Sequence, residues 1–508
     1  MFSEMARLPV VHIGRSALGL LLLLCSCTFF AQAQKNIEVV RKIDLSSAVV
    51  RIDMTILAND LNGKYVVSFA KHLAPKLSFL QIAMGNQPLP WIRLPDAGDG
   101  LAHFQAEVPQ GMTEAKLTVF GTLAGALVPV PAEIELTENQ LVQYLDSHTF
   151  PSLYPTARQT TTFALGVSHI ESFTKRDPYS RTGKDLVFGP ITDIEGGAAA
   201  SLSPITIHYQ NNAPFVKALQ AIREIEVSHW GNVAFEDFVE VKHAGAALKG
   251  GFSRLDFQAR GAPSAVRGLV AVLPLGARSI YYRDQIGNIS TSVIQHGPDG
   301  VELNLQSRFP LVGGWKNQFY QGYSVPVQEL LTVGPSSGGV RRFTLTVPFS
   351  VPFPEVWVED LTVKVVLPEW AADVRVEIPF SVDEEHQTHR LTFLDSSLSG
   401  GRPVLILKKR NVVAEHMQPM VLSYSFPTRA MLLEPLYLVL AFFSFFLVCM
   451  IFARVDLRIN ADGGKKKSKT HNLKSSYSPS WEIAACGKVS KVEISRFAMI
   501  ECRWRLVQ

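Results

Sequence analysis

An uncharged apolar run near the C-terminus constrains this 508-residue chain more than any other feature. It extends from Leu436 to Ala453 and is followed directly by Arg454. Roughly 18 apolar residues are enough to cross the hydrocarbon core of a bilayer as a helix. Twelve positions from Leu436 to Phe452 are Leu, Ile, Phe or Val, and together they favour insertion by about 4 to 7 kcal/mol. The run predicts a transmembrane helix over residues 432–453, because helices of soluble proteins normally keep a polar face.

A second, shorter apolar run lies at the N-terminus, from Ala17 to Phe30. It follows Arg7 and Arg15 and ends in the small-residue sequence Ala31-Gln32-Ala33. A basic segment, a short apolar core and small residues before the cut are typical of a secretory signal peptide. We therefore predict a signal peptide over residues 1–33, with cleavage after Ala33.

The charge of the chain is unevenly distributed. The tail over residues 454–508 contains 12 Lys and Arg and 5 Asp and Glu, a net charge of +7, whereas the whole chain carries +4, so the part before the tail is about −3. Basic residues directly after the span are typical of a cytosolic flank. The sequence predicts a single-pass type I protein with its bulk in the lumen and a short basic cytosolic tail. Since the positive charge belongs to the tail, it does not indicate nucleic-acid binding by the ectodomain.

The cysteines lie outside the predicted ectodomain. Cys25 and Cys27 fall in the signal peptide, Cys449 in the span, and Cys486 and Cys502 in the tail. Small exported domains usually need disulfides, so this ectodomain must depend on hydrophobic cores. Its length of about 400 residues is sufficient for two or three domains.

Alternation of apolar and polar residues dominates the ectodomain. Period-two alternation is typical of strands with one buried face. It is clearest in three segments: residues 50–56, 342–347 and 373–378. Gly and Pro clusters separate such segments, so the sequence predicts a mainly β fold with two β-sandwich-like lumenal domains. A helix is predicted after Thr137, where Gln140 completes a capping-box pattern and Leu141, Tyr144 and Leu145 share one helical face.

The polar segment Gln210–Pro214 precedes the predicted domain boundary near Ile222–Glu226. The predicted organisation is a signal peptide over 1–33, lumenal domains over 34–224 and 225–431, the span over 432–453 and the tail over 454–508.

Two patterns partly fit catalytic or metal sites. The segment from Gly334 to Gly338 fits G-x-S-x-G, but a nucleophile elbow needs a strand before it and a helix after it. Here a predicted strand follows, so the segment is interpreted as a hairpin loop. His386 and His389 beside Glu384 and Glu385 could bind a metal, but no third ligand group stands out, and the segment is predicted to be an exposed turn. No catalytic, cofactor or metal residues are predicted.

One Asn-x-Ser/Thr sequon occurs, at Asn288. On the exported side of the membrane it could carry a glycan, or Asn288 could simply serve a turn after Gly287. The string His229-Trp230-Gly231-Asn232 is unusual, but a Trp beside a Gly more often packs against a strand end than binds a sugar.

Several long strings resemble the ribophorin I family, subunit 1 of the oligosaccharyltransferase complex. The resemblance runs from about Val39 to Leu457, and its main strings are IEVSHWGN at 225–232, KHAGAALKGGFSR at 242–254, YYRDQIGNISTS at 281–292, RFPLVGGWK at 308–316 and VKVVLPE at 363–369. The tail after Ile459 does not resemble the long charged tail of animal members.

The resemblance implies a non-catalytic subunit in the endoplasmic reticulum membrane. The complex transfers a preassembled oligosaccharide from dolichyl diphosphate to the Asn of Asn-x-Ser/Thr sequons. The implied partners are the other transferase subunits, including the catalytic one, together with nascent polypeptide, the translocon and membrane lipid, without nucleic acid or cofactor. The implied role is stabilising the complex and presenting substrates. The span has an aromatic face that could pack against partner helices: Phe442, Phe443, Phe445 and Phe446. Exposure of this face to lipid is the alternative.

Two other functions remain open. Exported β-rich domains can precede metallopeptidase modules, which would make the chain peptidase-like, although no zinc motif is present. A single-pass surface receptor or adhesion ectodomain is the other alternative.

Overall fold

The structure, a computed structural model, describes residues 34–61, 63–109, 112–197, 203–298, 300–392, 395 and 400–455. The predicted signal peptide, with its cleavage after Ala33, lies outside the described residues. So does the tail beyond Val455.

The N-terminal half of the described chain consists of strands that form an eight-stranded sheet in the order β14-β15-β12-β1-β2-β8-β4-β5, a four-stranded sheet β13-β16-β11-β9 and a three-stranded sheet β3-β7-β6. The strands are β1 (Lys35–Asp44), β2 (Val50–Leu61), β3 (Lys64–Ala70), β4 (Leu77–Met84), β5 (Gln87–Pro88), β6 (Trp91–Arg93), β7 (Leu101–Glu107), β8 (Met112–Leu123), β9 (Val128–Pro129), β10 (Glu133–Ile134), β11 (Leu141–Ser147), β12 (Thr156–Ala164), β13 (Ile170–Phe173), β14 (Tyr179–Thr182), β15 (Asp185–Ile194) and β16 (Pro204–Gln210).

The C-terminal half consists of strands that form a seven-stranded sheet β21-β24-β18-β17-β27-β30-β29, a three-stranded sheet β20-β23-β22 and a four-stranded sheet β25-β26-β31-β28, while β19 pairs with β10. The strands are β17 (Val216–Val227), β18 (Asn232–His243), β19 (Ala247–Leu248), β20 (Val266–Leu273), β21 (Arg278–Asp284), β22 (Val293–His296), β23 (Val301–Leu311), β24 (Lys316–Pro326), β25 (Leu331–Ser337), β26 (Val340–Pro348), β27 (Trp357–Val366), β28 (Ala372–Glu377), β29 (Glu384–Arg390), β30 (Arg402–Val412) and β31 (Pro419–Pro427).

Helices are few in the described chain. The α-helices are α1 (Arg254–Arg260), α2 (Val327–Leu330) and α3 (Leu433–Arg454), and the 3₁₀ helices are Ala74–Lys76, Ala414–His416 and Thr428–Leu432. Ser253 caps α1, because its hydroxyl accepts a hydrogen bond from the Asp256 amide at 3.2 Å. Helix α3 closely matches the predicted span over residues 432–453.

The alternation in the sequence forms the strands as predicted, and the fold is mainly β. In β2, Val50, Ile52, Met54 and Ile56 are buried while the residues between them are partly or fully exposed. The other two alternating segments form β26 and β28. Successive side chains of a strand point to opposite faces, so this pattern places one apolar face of each sheet in a core.

Buried residues form two hydrophobic clusters. One contains residues from Val39 to Phe215, and the other contains residues from Val216 to Phe426. Strand β17 crosses the predicted boundary between residues 224 and 225. The division into two domains stays a prediction. A boundary between residues 215 and 216, where the chain passes from one cluster to the other, would keep β17 within one domain.

The predicted helix after Thr137 is wrong. Residues Leu141–Ser147 form β11, which pairs antiparallel with β16. Val142, Tyr144 and Asp146 are buried, and Gln143 and Leu145 between them are exposed. The same residues fit both a short helical face and a strand, and pairing with β16 decides between them because it satisfies the backbone hydrogen bonds.

Candidate functional site

The G-x-S-x-G segment is a hairpin, as predicted. Ser337 pairs with Val340, and the turn residues Gly338 and Gly339 have φ of 60° and 82°. Two successive positive φ values are typical of the two-residue turns that join antiparallel strands, and glycine adopts them without a steric penalty. The strand-to-helix turn of a nucleophile elbow is therefore not formed at Ser336.

The predicted turn around His386 is wrong, since residues Glu384–Arg390 form β29 at the edge of the seven-stranded sheet. Positions three apart in a strand point to opposite faces, so His386 and His389 cannot share one metal ion. The Glu384 carboxylate instead contacts the Lys408 ammonium at 2.8 Å. Within the described ranges, no group of three His, Cys, Asp or Glu side chains could hold a metal ion.

One recess in the described chain, here called the aromatic cleft, has a volume of about 710 Å³. Residues of β4 and the following turn form one wall, and residues that flank β29 and β31 form the other. Rings on both walls contact His416 edge-on, with centroids at 5.4 Å for Phe79 and 4.8 Å for Phe380. The remaining lining includes Leu80, Leu89, Trp91, Phe104, Pro379, Asp383, Lys409 and Gln418.

Burial lowers the pKa values of two basic side chains in the aromatic cleft. Burial, assisted by the nearby Lys409 charge, lowers the pKa of His416 to about 3, so this imidazole is neutral at neutral pH. Burial also lowers the pKa of Lys409, whose ammonium donates to the Ser381 carbonyl at 2.7 Å and lies 5.4 Å from the Phe380 ring centroid. The cleft therefore offers aromatic rings for apolar groups of a ligand and the Asp383 and Lys409 side chains for polar ones.

His229 has a structural role. Its Nε2 lies 2.8 Å from the Tyr424 hydroxyl, and its ring stacks on Phe343 at 4.5 Å and meets Phe426 edge-on at 4.4 Å. Burial lowers the pKa of His229 to about 4. Trp230 beside it is 59% exposed and lies just after the end of β17, where it lines a small recess with Val227 and Phe426.

Asn288 is exposed on a firmly held backbone. It forms an isolated bridge with Arg283, and its carbonyl accepts a hydrogen bond from Arg308 at 3.2 Å. The next residue, Ile289, is buried and its amide donates to the Tyr282 carbonyl at 3.0 Å. The Asn288 side chain is therefore accessible, while the sequon backbone is fixed.

A buried ion pair stabilises the centre of the seven-stranded sheet. The Arg223 guanidinium donates from Nη1 to both oxygens of Asp237, at 2.8 and 2.9 Å, and from Nη2 to the Tyr323 hydroxyl at 2.9 Å. Both charged side chains are completely buried. Burial alone would lower the pKa of Arg223, but the Asp237 and Tyr323 oxygens outweigh it and raise the pKa, so the guanidinium stays charged.

Helix α3 has 22 residues, about 33 Å at 1.5 Å per residue, which matches the hydrocarbon thickness of a bilayer. Among the described residues it is the helix that is long and apolar enough to span a membrane. The four phenylalanines of the predicted packing face are each about three-fifths exposed: Phe442, Phe443, Phe445 and Phe446.

Sequence reasoning did not find the aromatic cleft or the ion pair. The cleft joins Phe79 to His416, residues more than 300 positions apart, and no local pattern signals such a contact. For Arg223 and Asp237 a signal was present, because each occupies a buried phase of an alternating strand.

Comparisons with known proteins agree with the resemblance in the sequence. A family model described as Ribophorin I matches residues 34–453. The dolichyl-diphosphooligosaccharide–protein glycosyltransferase subunit 1A of Arabidopsis thaliana is 36% identical over 83% of this chain and 70% of its own length. Subunit 1B of the same plant is 36% identical over 86% of this chain and 96% of its own length. Subunit 1 of Caenorhabditis elegans is 35% identical over 87% of this chain and 76% of its own length.

Among solved structures, an M1 zinc metallopeptidase from Deinococcus radiodurans is 13% identical, covers 41% of this chain and 42% of its own, and has a TM-score of 0.24. At that TM-score the likeness says nothing about function. The family model, in contrast, covers both the β-rich part and helix α3. The chain belongs to the ribophorin I family.

Proposed function

We propose that this chain is the accessory, non-catalytic subunit 1 of an oligosaccharyltransferase complex in the endoplasmic reticulum membrane. The observation that carries the proposal is the family match over residues 34–453, together with three relatives at 35–36% identity that are all named subunit 1 of this transferase. The complex transfers a preassembled oligosaccharide from dolichyl diphosphate to Asn of nascent proteins.

In the proposed topology, α3 crosses the membrane once, with the β-rich part in the lumen. The basic residues from Arg454 onward support this orientation, because positive charge is typical of the cytosolic flank of a span. The exposed sequon at Asn288 would then be accessible for glycosylation. Protease added to intact microsomes should digest the tail and leave the β-rich part protected, whereas digestion of that part would contradict the topology.

The role proposed for α3 is lateral assembly with helices of partner subunits. Its exposed aromatic residues give a wide apolar surface, and helix association in a membrane depends on close packing of such surfaces. The triple variant Phe442→Ala, Phe445→Ala and Phe446→Ala tests this role. A matched variant of the same helix replaces other apolar residues: Leu447, Val448 and Ile451.

Affinity purification in mild detergent, followed by mass spectrometry, measures assembly. Wild type should recover the other transferase subunits, including the catalytic one, and the phenylalanine variant should recover less of them than the matched variant. Equal recovery by both variants would contradict the proposed packing face. Recovery of wild type without any transferase subunit would contradict the proposed function itself.

The second proposed role is holding nascent polypeptide near the catalytic subunit. The aromatic cleft supports it, because aromatic rings lie beside the charged side chains of Lys409 and Asp383, a combination that suits apolar and polar side chains of an unfolded segment. A photo-crosslinking residue in place of Trp91, which is partly exposed at the cleft, should capture nascent glycoproteins; the same residue in place of Leu255, in α1, is the control. Depletion of the chain should lower sequon occupancy on secreted glycoproteins, and unchanged occupancy would count against the whole proposal.

A further inference from the structure

Two exposed tryptophans lie at one edge of the seven-stranded sheet. Strands β17 and β27 are parallel, and Glu226 pairs with Val366 near the end of both. Because parallel strands end at the same edge, the loops 228–231 and 368–371 that follow them emerge side by side. Trp230 and Trp370 belong to these loops and are 59% and 40% exposed.

The same edge leads into helix α3. A recess of about 50 Å³ is lined by Trp230, Glu369, Ala430 and Met431, so both loops meet the 3₁₀ helix Thr428–Leu432. Ala372, directly after the second loop, pairs with Ser425 of β31. The two tryptophans therefore lie at the level of the residues that connect β31 to α3.

Helix geometry gives the distance from Met431, beside the two loops, to the start of the apolar run that lies in the hydrocarbon core. A 3₁₀ helix rises about 2.0 Å per residue and an α-helix about 1.5 Å, so Met431 lies about 8 Å from Leu436, the start of the apolar run. The headgroup layer on each side of a bilayer is roughly 5–8 Å thick. A tryptophan side chain beside Met431 can therefore reach this layer.

The exposed residues around the two loops fit a headgroup layer. Leu432 is exposed at the end of the 3₁₀ helix, and Arg429 on the same helix is exposed and basic. The Thr428 amide donates to the Gly339 carbonyl at 3.1 Å, which places the hairpin turn and the exposed Arg341 nearby. Tryptophan is enriched at membrane–water interfaces, where one end of its side chain is in an apolar environment and the other is in a polar one. Arginine can extend its charged group towards lipid phosphates.

We propose that this surface, composed of loops 228–231 and 368–371 with the 3₁₀ helix Thr428–Leu432, lies in the headgroup layer of a phospholipid bilayer. Trp230 and Trp370 are its anchors. The inference rests on the proposed function, in which α3 crosses the membrane.

The absence of cysteine from residues 34–434 allows single-cysteine reporters in the full chain. After replacement of the five native cysteines by Ala (Cys25, Cys27, Cys449, Cys486 and Cys502), the variants Trp230→Cys and Trp370→Cys are labelled with a polarity-sensitive fluorophore and reconstituted in phosphatidylcholine vesicles. Leu255→Cys is the aqueous control, because Leu255 is 79% exposed on α1. Leu436→Cys reports on the span.

Lipids with a spin label at the headgroup should quench the fluorophores at positions 230 and 370 and leave position 255 unchanged. Quenching at position 436 without quenching at 230 and 370 would overturn the inference while the span stands. Loss of quenching at position 436 as well would overturn the span and the inference together. Protection of 230 and 370 from aqueous iodide without lipid quenching would mean that protein covers them, and this also overturns the inference.

A second measurement avoids the label. Intrinsic fluorescence of the wild-type chain should be partly quenched by lipids brominated near the headgroup. The double variant Trp230→Phe and Trp370→Phe keeps both aromatic rings and should lose that quenchable component. Retention of the full component in the variant would assign the quenching to other tryptophans and refute the proposed anchors.

Discussion

The buried ion pair of the seven-stranded sheet allows a sharp test of how the C-terminal core is stabilised. In the variant Asp237→Asn, the shape of the side chain is kept, but its negative charge is removed. The Arg223 guanidinium then remains charged, with an amide in place of the carboxylate that it contacts at 2.8 and 2.9 Å. Tyr323, at 2.9 Å, is neutral and cannot compensate for the lost charge.

The expected loss follows from the complete burial of both side chains. Removing one partner of a buried pair typically costs 3–5 kcal/mol, because the other charge stays desolvated without compensation. We therefore expect the free energy of unfolding to fall by about 3–5 kcal/mol. For a domain of 150–250 residues this lowers Tm by roughly 6–20 °C.

Thermal unfolding of the full-length protein in detergent, followed by tryptophan fluorescence, measures the change. Glu240→Gln is the matched control, since Glu240 lies on the same strand β18 and contacts Lys316 at 3.1 Å on the surface. This exposed pair should contribute under about 1 kcal/mol. The double variant Arg223→Met and Asp237→Leu removes both charges and should recover most of the loss. Equal Tm shifts for Asp237→Asn and Glu240→Gln would refute the reasoning.

Three further predictions concern other residues of the same structure. The pKa of His416 is lowered from 6.5 to about 3 in the folded protein, so the unfolded chain binds the proton first as the pH falls. The contribution of neutral His416 to the free energy of unfolding is therefore present above about pH 6.5 and falls by about 2 kcal/mol at pH 5. His416→Asn should flatten this pH dependence in unfolding experiments, and an unchanged slope would contradict it. Gly313→Ala would place a Cβ 1.7 Å from a backbone carbonyl oxygen and should cost about 1–3 kcal/mol or more; Gly231→Ala, whose Cβ would meet nothing within 4 Å, should leave Tm unchanged. Asn288→Gln should migrate faster on a gel and lose sensitivity to endoglycosidase, whereas identical migration would mean an unmodified sequon.

The parts of the fold that could be predicted are those with local physical causes. Alternation across Val50–Ile56 predicted β2, because one face of a strand must be apolar to be buried. The apolar run predicted α3 for a similar reason. The order of strands within each sheet could not be predicted, since pairings such as β1 with β12 join residues far apart in the sequence.

The candidate site was less predictable than the fold. The helix expected after Thr137 failed because three apolar residues at helical spacing also fit a strand, and only the partner strand β16 distinguishes the two. The aromatic cleft requires both halves of the described chain to be in place. Trp230 was visible in the sequence, but its exposure depends on the loop geometry at the end of β17.

The parallel pairing of β17 with β27 has a consequence for biosynthesis. Lys217 lies opposite Trp357, with β18 to β26 between them in the chain. The middle of this sheet therefore cannot close while the polypeptide is still short, and one side of β17 stays without its neighbour until residue 366 has left the ribosome. Unpaired strand edges are prone to aggregation. The edge of β17 that β27 later covers is therefore exposed during most of the synthesis of the β-rich part.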